Sequence, residues 1–228
     1  MSASTPLTLG IDEAGRGAVL GPLVVAGCAM TPAQEAVLRE AGVADSKGFG
    51  PPAKAQAVRE DLAALIRERA TWCAVVVASA DRVDASVRRH RLNALERAMA
   101  EEILAGSPQG SRVVLDGRRV FDPLCRRIPR ATAMDKADQH EISVAAASIL
   151  AKTTRDSLFA QLRARCSTGL DPIGGEGYPN RSTARFLDAY FSLHGDLPPE
   201  TRRSWRWAPL QRYTTPDQRG EPPSLSFD

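Results

Sequence analysis

Residues 10–17 read GIDEAGRG and follow an apolar run that begins at Leu7. The run predicts a β-strand over 7–12, rich in aliphatic side chains and closed by a glycine turn. Neighbouring side chains on a strand point to opposite faces, so two adjacent acids, Asp12 and Glu13, are an awkward pair for a flat strand. We expect Asp12 to end the strand facing a crevice, with Glu13 already in the turn and able to swing round to the same side. Gly15 and Gly17 then flank Arg16 and let the backbone approach a ligand closely. The spacing is neither G-x-x-x-x-G-K-[ST] nor G-x-G-x-x-G, so a nucleotide-cradling loop is excluded.

Working outward, a second strand is predicted over 19–29, pairing with the first as a hairpin. Helical periodicity covers 52–70 and 83–104, the latter ending at Gly106. WCAVVVASA (72–80) reads as a third strand and SRVVLDG (111–117) as a fourth; a weaker fifth covers 128–134. A long helix over 139–166 would span roughly 40 Å at the α-helical rise, and a glycine-rich loop leads to a last helix over 182–193. Strands alternating with helices predict an α/β fold around a mixed sheet.

In such sheets the strand ends converge on a crevice where sites are built. Four acids stand where the chain leaves a strand or enters a helix: Asp12, Glu13, Asp116 and Asp138. Gathered carboxylates raise one another's pKa unless cations neutralise them. Oxygen-only donors suit Mg²⁺ or Mn²⁺ rather than zinc, and the matching chemistry is two-metal phosphodiester hydrolysis. Plainer readings stand beside this one. Asp116 sits in an Asp-Gly turn signal. Asp138 and Glu141 have the spacing of a capping box, and Asp135 competes with Asp138 for any ligand role. On the long helix Ser148, Lys152 and Arg155 share one face by spacing and would make a phosphate-contact strip, although a solvated polar face is the default. Lys47, in DSK, adds a cation near a predicted turn. RRSWRW (202–207) interleaves arginine with tryptophan, which more often means core packing than base stacking.

The chain has 228 residues and a net charge of +3, compatible with a nucleic-acid partner without requiring one. Its four cysteines form no C-x-x-C pair, and the three histidines share no ligand-like spacing, so neither a zinc site nor a disulfide frame is expected. The N-terminus lacks a secretory pattern, and VLGPLVVAGCAM is too short and too punctuated to span a bilayer. We expect a cytoplasmic monomer that avoids membranes.

Taken in order, GIDEAGRG, GPLVVAG, DSK, VVLDGRR, KAD, AAASILAKTTRD and GYP resemble the ribonuclease HII family, from residue 9 to about 207. Ala18 after GRG separates the chain from ribonuclease HIII, which carries an acid there. The resemblance implies an RNase H-like mixed sheet flanked by helices, with a small helical C-terminal extension. It implies an endonuclease that cuts the RNA strand of RNA/DNA hybrids and cuts 5′ of ribonucleotides embedded in duplex DNA, leaving 3′-OH and 5′-phosphate ends. It assigns Asp12, Glu13, Asp116 and Asp138 to Mg²⁺ or Mn²⁺, choosing Asp138 over Asp135 because the family's acid follows the equivalent of Lys136-Ala137. Gly15, Arg16 and Gly17 would read the ribose 2′-OH, with Tyr178 on the sugar; Lys47, Ser148 and Lys152 would contact phosphates. PPETRRSW departs from the commoner bacterial P-x-H-R-x-S-F, so no role is carried to the missing histidine. Residues 1–208 are expected to form the catalytic domain and 209–228 a disordered tail. Within that tail PPSLSF is similar to sliding-clamp docking motifs but lacks their leading glutamine. The alternative is a non-catalytic nucleic-acid-binding module on the same scaffold, disfavoured by the complete set of acids.

Overall fold

A five-stranded sheet carries the acids, and its register explains their placement. The structure, a computed structural model, describes residues 6–45, 52–167, 169–170 and 173–215. Strands β1 (Thr8–Ala14), β2 (Leu23–Met30), β3 (Trp72–Ala78), β4 (Arg112–Asp116) and β5 (Ala131–Met134) lie in the order β3-β2-β1-β4-β5. β2 runs antiparallel to β1, as the predicted hairpin requires. β4 runs parallel to β1, with Ile11 opposite Leu115, and β5 runs parallel to β4, with Asp116 opposite Met134. Three neighbouring strands therefore end at the same edge of the sheet. Asp12 and Asp116 each follow one member of the Ile11–Leu115 pair, and Asp135 and Asp138 follow β5.

The helices are α1 (Pro32–Glu40), α2 (Pro52–Arg69), α3 (Ala80–Val87), α4 (Leu92–Gly106), α5 (Arg118–Cys125), α6 (Ile142–Cys166), α7 (Arg181–His194) and α8 (Ala208–Gln211). Helix α6 packs on the sheet through small residues: Ala145, Ala146 and Ala147 are buried, and Val144 joins Val114 and Ala137 in one core cluster. Gly10 makes the close approach possible. A Cβ there would lie 2.1 Å from the Ser143 carbonyl carbon and 2.2 Å from the Val144 nitrogen.

Several predicted boundaries differ. β2 begins at Leu23 rather than 19, because residues 15–22 form a loop. The single helix expected over 83–104 is two, α3 and α4, separated by a turn in which His90 has φ +56° and the Arg91 amide reaches back to the Ser86 carbonyl at 2.8 Å. The fifth strand is shorter than expected. The long helix starts at Ile142, after a 3₁₀ turn at Ala137–Gln139. Helix α1 went unforeseen despite its Thr31–Gln34 capping box, as did α5, whose Pro123 interrupts any helical pattern.

The chain divides into two compact units: residues 1–14, 24–76 and 96–153, and residues 15–23, 77–95 and 154–228. Among the described residues no helix is long and apolar enough to cross a membrane. All four cysteines are free, with the Cys28 and Cys73 sulfurs 3.3 Å apart on neighbouring strands. The three histidines are exposed. Of the tail expected over 209–228, residues 216–228, including PPSLSF, lie outside the described residues.

Candidate active site

In the first unit, Asp12 is only 6% exposed and Asp116 is half-buried. Each is held by a backbone amide: the Glu13 N–H donates to Asp12 Oδ1 at 2.7 Å, and the Ala137 N–H to Asp116 Oδ1 at 2.7 Å. Burial pushes the Asp12 carboxyl well above the usual carboxylate range, and the charges of Glu13 and Asp116 push it further. Asp116 is also raised, chiefly by burial and then by Asp138 and Asp135, against the pull of the Ala137 and Lys136 amides. These are the shifts expected where like charges share a low-dielectric edge, and such perturbation marks candidate sites.

The structure revises how this group is assembled. β1 runs through Ala14, so Glu13 is still in the ladder, opposite Val25, while Asp12 stands opposite Ala26. The expectation that Glu13 belongs to the turn is therefore wrong, since the hairpin pairing outlasts the apolar run. Alternation directs its Cβ away from the face used by Asp12. Among the described residues, no group of three or more His, Cys, Asp or Glu side chains is gathered tightly enough to hold a metal ion. What the fold does bring together is a line of mutually interacting charges: Glu13 with Asp12, Asp12 with Asp116, and Asp116 with Asp138.

The plainer readings of these acids now separate. Asp135 Oδ1 accepts the Arg118 N–H at 2.8 Å and so caps α5. Asp138 lies inside the 3₁₀ turn, which Lys136 enters at φ +58°. Glu141 forms a two-pronged pair with Arg112, at 3.0 and 2.6 Å, rather than a capping box with Asp138. Asp116 is the last residue of β4 and Gly117, at φ +99°, precedes α5, so the Asp-Gly turn signal is real and the carboxylate is still aimed at the Ala137 amide. From α6, the buried Ser148 hydroxyl lowers the pKa of Asp12. Lys152 is half-buried. Lys47 lies outside the described residues.

The second unit contains the glycine loop. Gly15 has φ +87° and its carbonyl accepts the Ala18 N–H at 3.3 Å. Arg16 Nη2 donates to Asn93 Oδ1 at 2.7 Å, and the Arg16 carbonyl accepts from Arg202 Nη1 at 3.0 Å. The Val19 and Leu20 amides both donate to the Gly177 carbonyl, at 2.9 and 3.1 Å, which ties the loop to the turn carrying Tyr178. Tyr178 is 37% exposed. Arg155 does not extend a phosphate-contact strip: it is 2% exposed, and its guanidinium bonds the carbonyls of Glu176 and Leu20 at 2.7 and 3.3 Å. Helical spacing alone could not show that Ser148 and Arg155, at the two ends of that row, are both buried. Trp205 is buried beneath Arg202, as core packing predicts. Asn93 went unnoticed, sitting where one unbroken helix was expected.

With this geometry in hand, comparison with known proteins is decisive. The ribonuclease HII family profile matches residues 9–208. The chain belongs to the ribonuclease HII family. A ribonuclease HII from Cenarchaeum symbiosum (strain A) is 35% identical over 210 residues, covering 90% of this chain and 97% of the relative. The ribonuclease H2 of Pyrococcus horikoshii OT3 superposes with a TM-score of 0.74 at 29% identity, covering 91% of this chain and 98% of that one. The ribonuclease HII in the PCNA complex from Archaeoglobus fulgidus gives 0.74 at 32% identity, with 92% and 98% covered. The mixed sheet flanked by helices is thus the RNase H-like fold the motifs implied. As a ribonuclease HII the chain is an endonuclease that hydrolyses RNA in RNA/DNA hybrids.

Proposed function

We propose that this ribonuclease HII also cuts 5′ of single ribonucleotides embedded in duplex DNA, acting as a monomer through a two-metal site. The observation carrying the reading is the pair of acids, Asp12 and Asp116, at the ends of adjacent parallel strands, each with its pKa raised by burial and by neighbouring carboxylates. An all-oxygen donor set whose charges oppose one another fits divalent cations of the Mg²⁺ or Mn²⁺ kind. Asp12, Glu13, Asp116 and Asp138 are the residues that would hold them. Bound there, such ions would supply Lewis-acid activation of water and stabilisation of the leaving oxygen, giving 3′-OH and 5′-phosphate ends.

The chain's own groups do the rest. The Glu13 and Ala137 amides fix the Asp12 and Asp116 carboxylates, and the nearby Ser148 hydroxyl opposes the upward shift that burial and the neighbouring acids impose on Asp12. Lys152, Lys47 and, through its hydroxyl, Ser148 are assigned to phosphates. The loop Gly15-Arg16-Gly17 is assigned to the 2′-OH, the one group that distinguishes RNA from DNA at a single nucleotide, with Tyr178 against the sugar. Because the Arg16 side chain is engaged by Asn93, ribose reading falls to the backbone of the loop. A sliding clamp is a further proposed partner of the C-terminal tail, since the Archaeoglobus fulgidus relative is seen with PCNA.

The test is a DNA duplex containing one ribonucleotide, incubated with Mg²⁺ or Mn²⁺. Cleavage on its 5′ side is expected; an intact duplex under both metals would refute the reading. Asp116→Asn should lower kcat by more than about 100-fold, beyond what loss of an outer-shell partner costs, while hybrid binding persists. Retained cutting would return Asp116 to the role of turn former.

A further inference from the structure

Within the second unit, one buried cation lies against both Gly15 and Tyr178 of the proposed ribose-reading surface. Arg155 bonds the Glu176 carbonyl at 2.7 Å and the Leu20 carbonyl at 3.3 Å. Its guanidinium carbon lies 4.9 Å from the centre of the Tyr178 ring and 5.6 Å from that of Phe159. Its side chain also fills the space beside Gly15, where a Cβ would fall 2.3 Å from Arg155 Nε. Among the described residues it meets no carboxylate. Burying a guanidinium against carbonyls and rings alone is costly, so packing does not account for its presence. Each carbonyl it bonds belongs to a segment flanking a proposed contact residue. Leu20 lies in the loop that begins at Gly15, and Glu176 is two residues from Tyr178, in a left-handed conformation at φ +53° that its own side chain does not favour.

We propose that Arg155 is a positioning residue for ribose recognition, holding Tyr178 and the Gly15 loop in one fixed arrangement through its two carbonyl bonds and the Tyr178 ring. This rests on the reading that those two elements contact the ribose. Arg202 braces the same loop from its other carbonyls, Arg16 at 3.0 Å and Gly21 at 3.0 Å. Between them the two guanidinium groups bond the Arg16, Leu20 and Gly21 carbonyls of the loop. Arg155 requires a glycine at position 15, since a Cβ there would displace the guanidinium.

The consequence is selective. A long hybrid offers a 2′-OH at every register, so a misplaced reader still finds one; a lone ribonucleotide demands one placement. The experiment measures kcat and KM for wild type, Arg155→Lys, Arg155→Gln and Tyr178→Ala on a single-ribonucleotide duplex and on an all-RNA hybrid, using the full chain with Mn²⁺. Lysine keeps the charge but not the fork, and glutamine keeps one donor group without the charge. Both Arg155 variants are expected to lose at least about tenfold more kcat/KM on the single-ribonucleotide duplex than on the hybrid, with Tyr178→Ala showing the same bias. Equal losses on both substrates in the Arg155 variants, with bias in Tyr178→Ala, would overturn the positioning role and leave the ribose-reading assignment standing. Absence of bias in Tyr178→Ala would overturn both. If the lysine variant does not fold, the glutamine variant decides.

Discussion

Asp84 and Asp12 are both buried carboxylates, and their neighbours set them apart. Asp84, 3% exposed, accepts the Arg203 amide at 2.8 Å, the Ser204 amide at 3.2 Å and the Ser204 hydroxyl at 2.5 Å. Asp12 faces the charges of Glu13 and Asp116 instead. The first is a fastener; the second is left under the repulsion of its neighbours. Asp84→Ala would strand three donors and should lower unfolding free energy by about 2–3 kcal/mol in denaturant titration. Burial is the largest influence on the Asp84 pKa and raises it above 3.8 despite those donors. The folded state therefore binds this proton more tightly than the unfolded chain does. Stability contributed at this site rises as pH falls from neutral through the raised pKa and levels off near the unfolded value. Measured against Asp84→Asn, wild type should gain relative stability over that acidic window; a loss would contradict the sign.

At the scale of elements, Gly10 sets how near α6 comes to β1. Gly10→Ala places a methyl group against the Ser143 and Val144 backbone, which no rotamer change can relieve. A cost of about 3 kcal/mol is expected in thermal or denaturant unfolding, together with weaker cutting, because Ser148 rides on the displaced helix. The elements around this contact were the legible ones. Aliphatic runs 7–12, 72–80 and 111–117 lie within two residues of β1, β3 and β4 at each end, since short apolar runs bounded by turn signals announce strands by composition, whether largely buried as in β1 or half-buried at the sheet edge as in β3. The 19–29 run misled because its first residues are apolar for another reason: Val19 and Leu20 are buried beneath the Gly177 turn and their carbonyls serve Arg202 and Arg155. Those partners lie 135 or more residues away, beyond any local pattern. The break between α3 and α4 was hidden for a similar reason. Residues 88–91, RRHR, hold neither glycine nor proline, and the turn depends on His90 taking a left-handed conformation.

For the whole molecule, the balance between opposed carboxylates and divalent cations should be visible in thermal unfolding. Binding to the folded chain alone stabilises by about 2.7 kcal/mol at a hundredfold excess over Kd. For a chain of this size that is roughly 5–10 °C in Tm. Mg²⁺ or Mn²⁺ should raise Tm in wild type and EDTA should reverse it, with a clearly smaller shift in Asp116→Asn; equal shifts in both proteins would place the ions elsewhere. Of the proposed site, the motif acids and the GRG and GYP segments could be named from sequence because each is compact there. The buried arginines were not, because their role depends on which carbonyls the fold turns towards them.

The chain changes units between Ala14 and Gly15, and again after residues 23, 76, 95 and 153. The strand carrying Asp12 and Glu13 ends and the glycine loop begins without an intervening linker, and each unit is assembled from three separate lengths of chain. No single truncation, duplication or exchange of a segment can remove one and spare the other. If the proposed assignments hold, a descendant that still cut but had ceased to discriminate ribose would have to arise by substitutions made in place, one residue at a time.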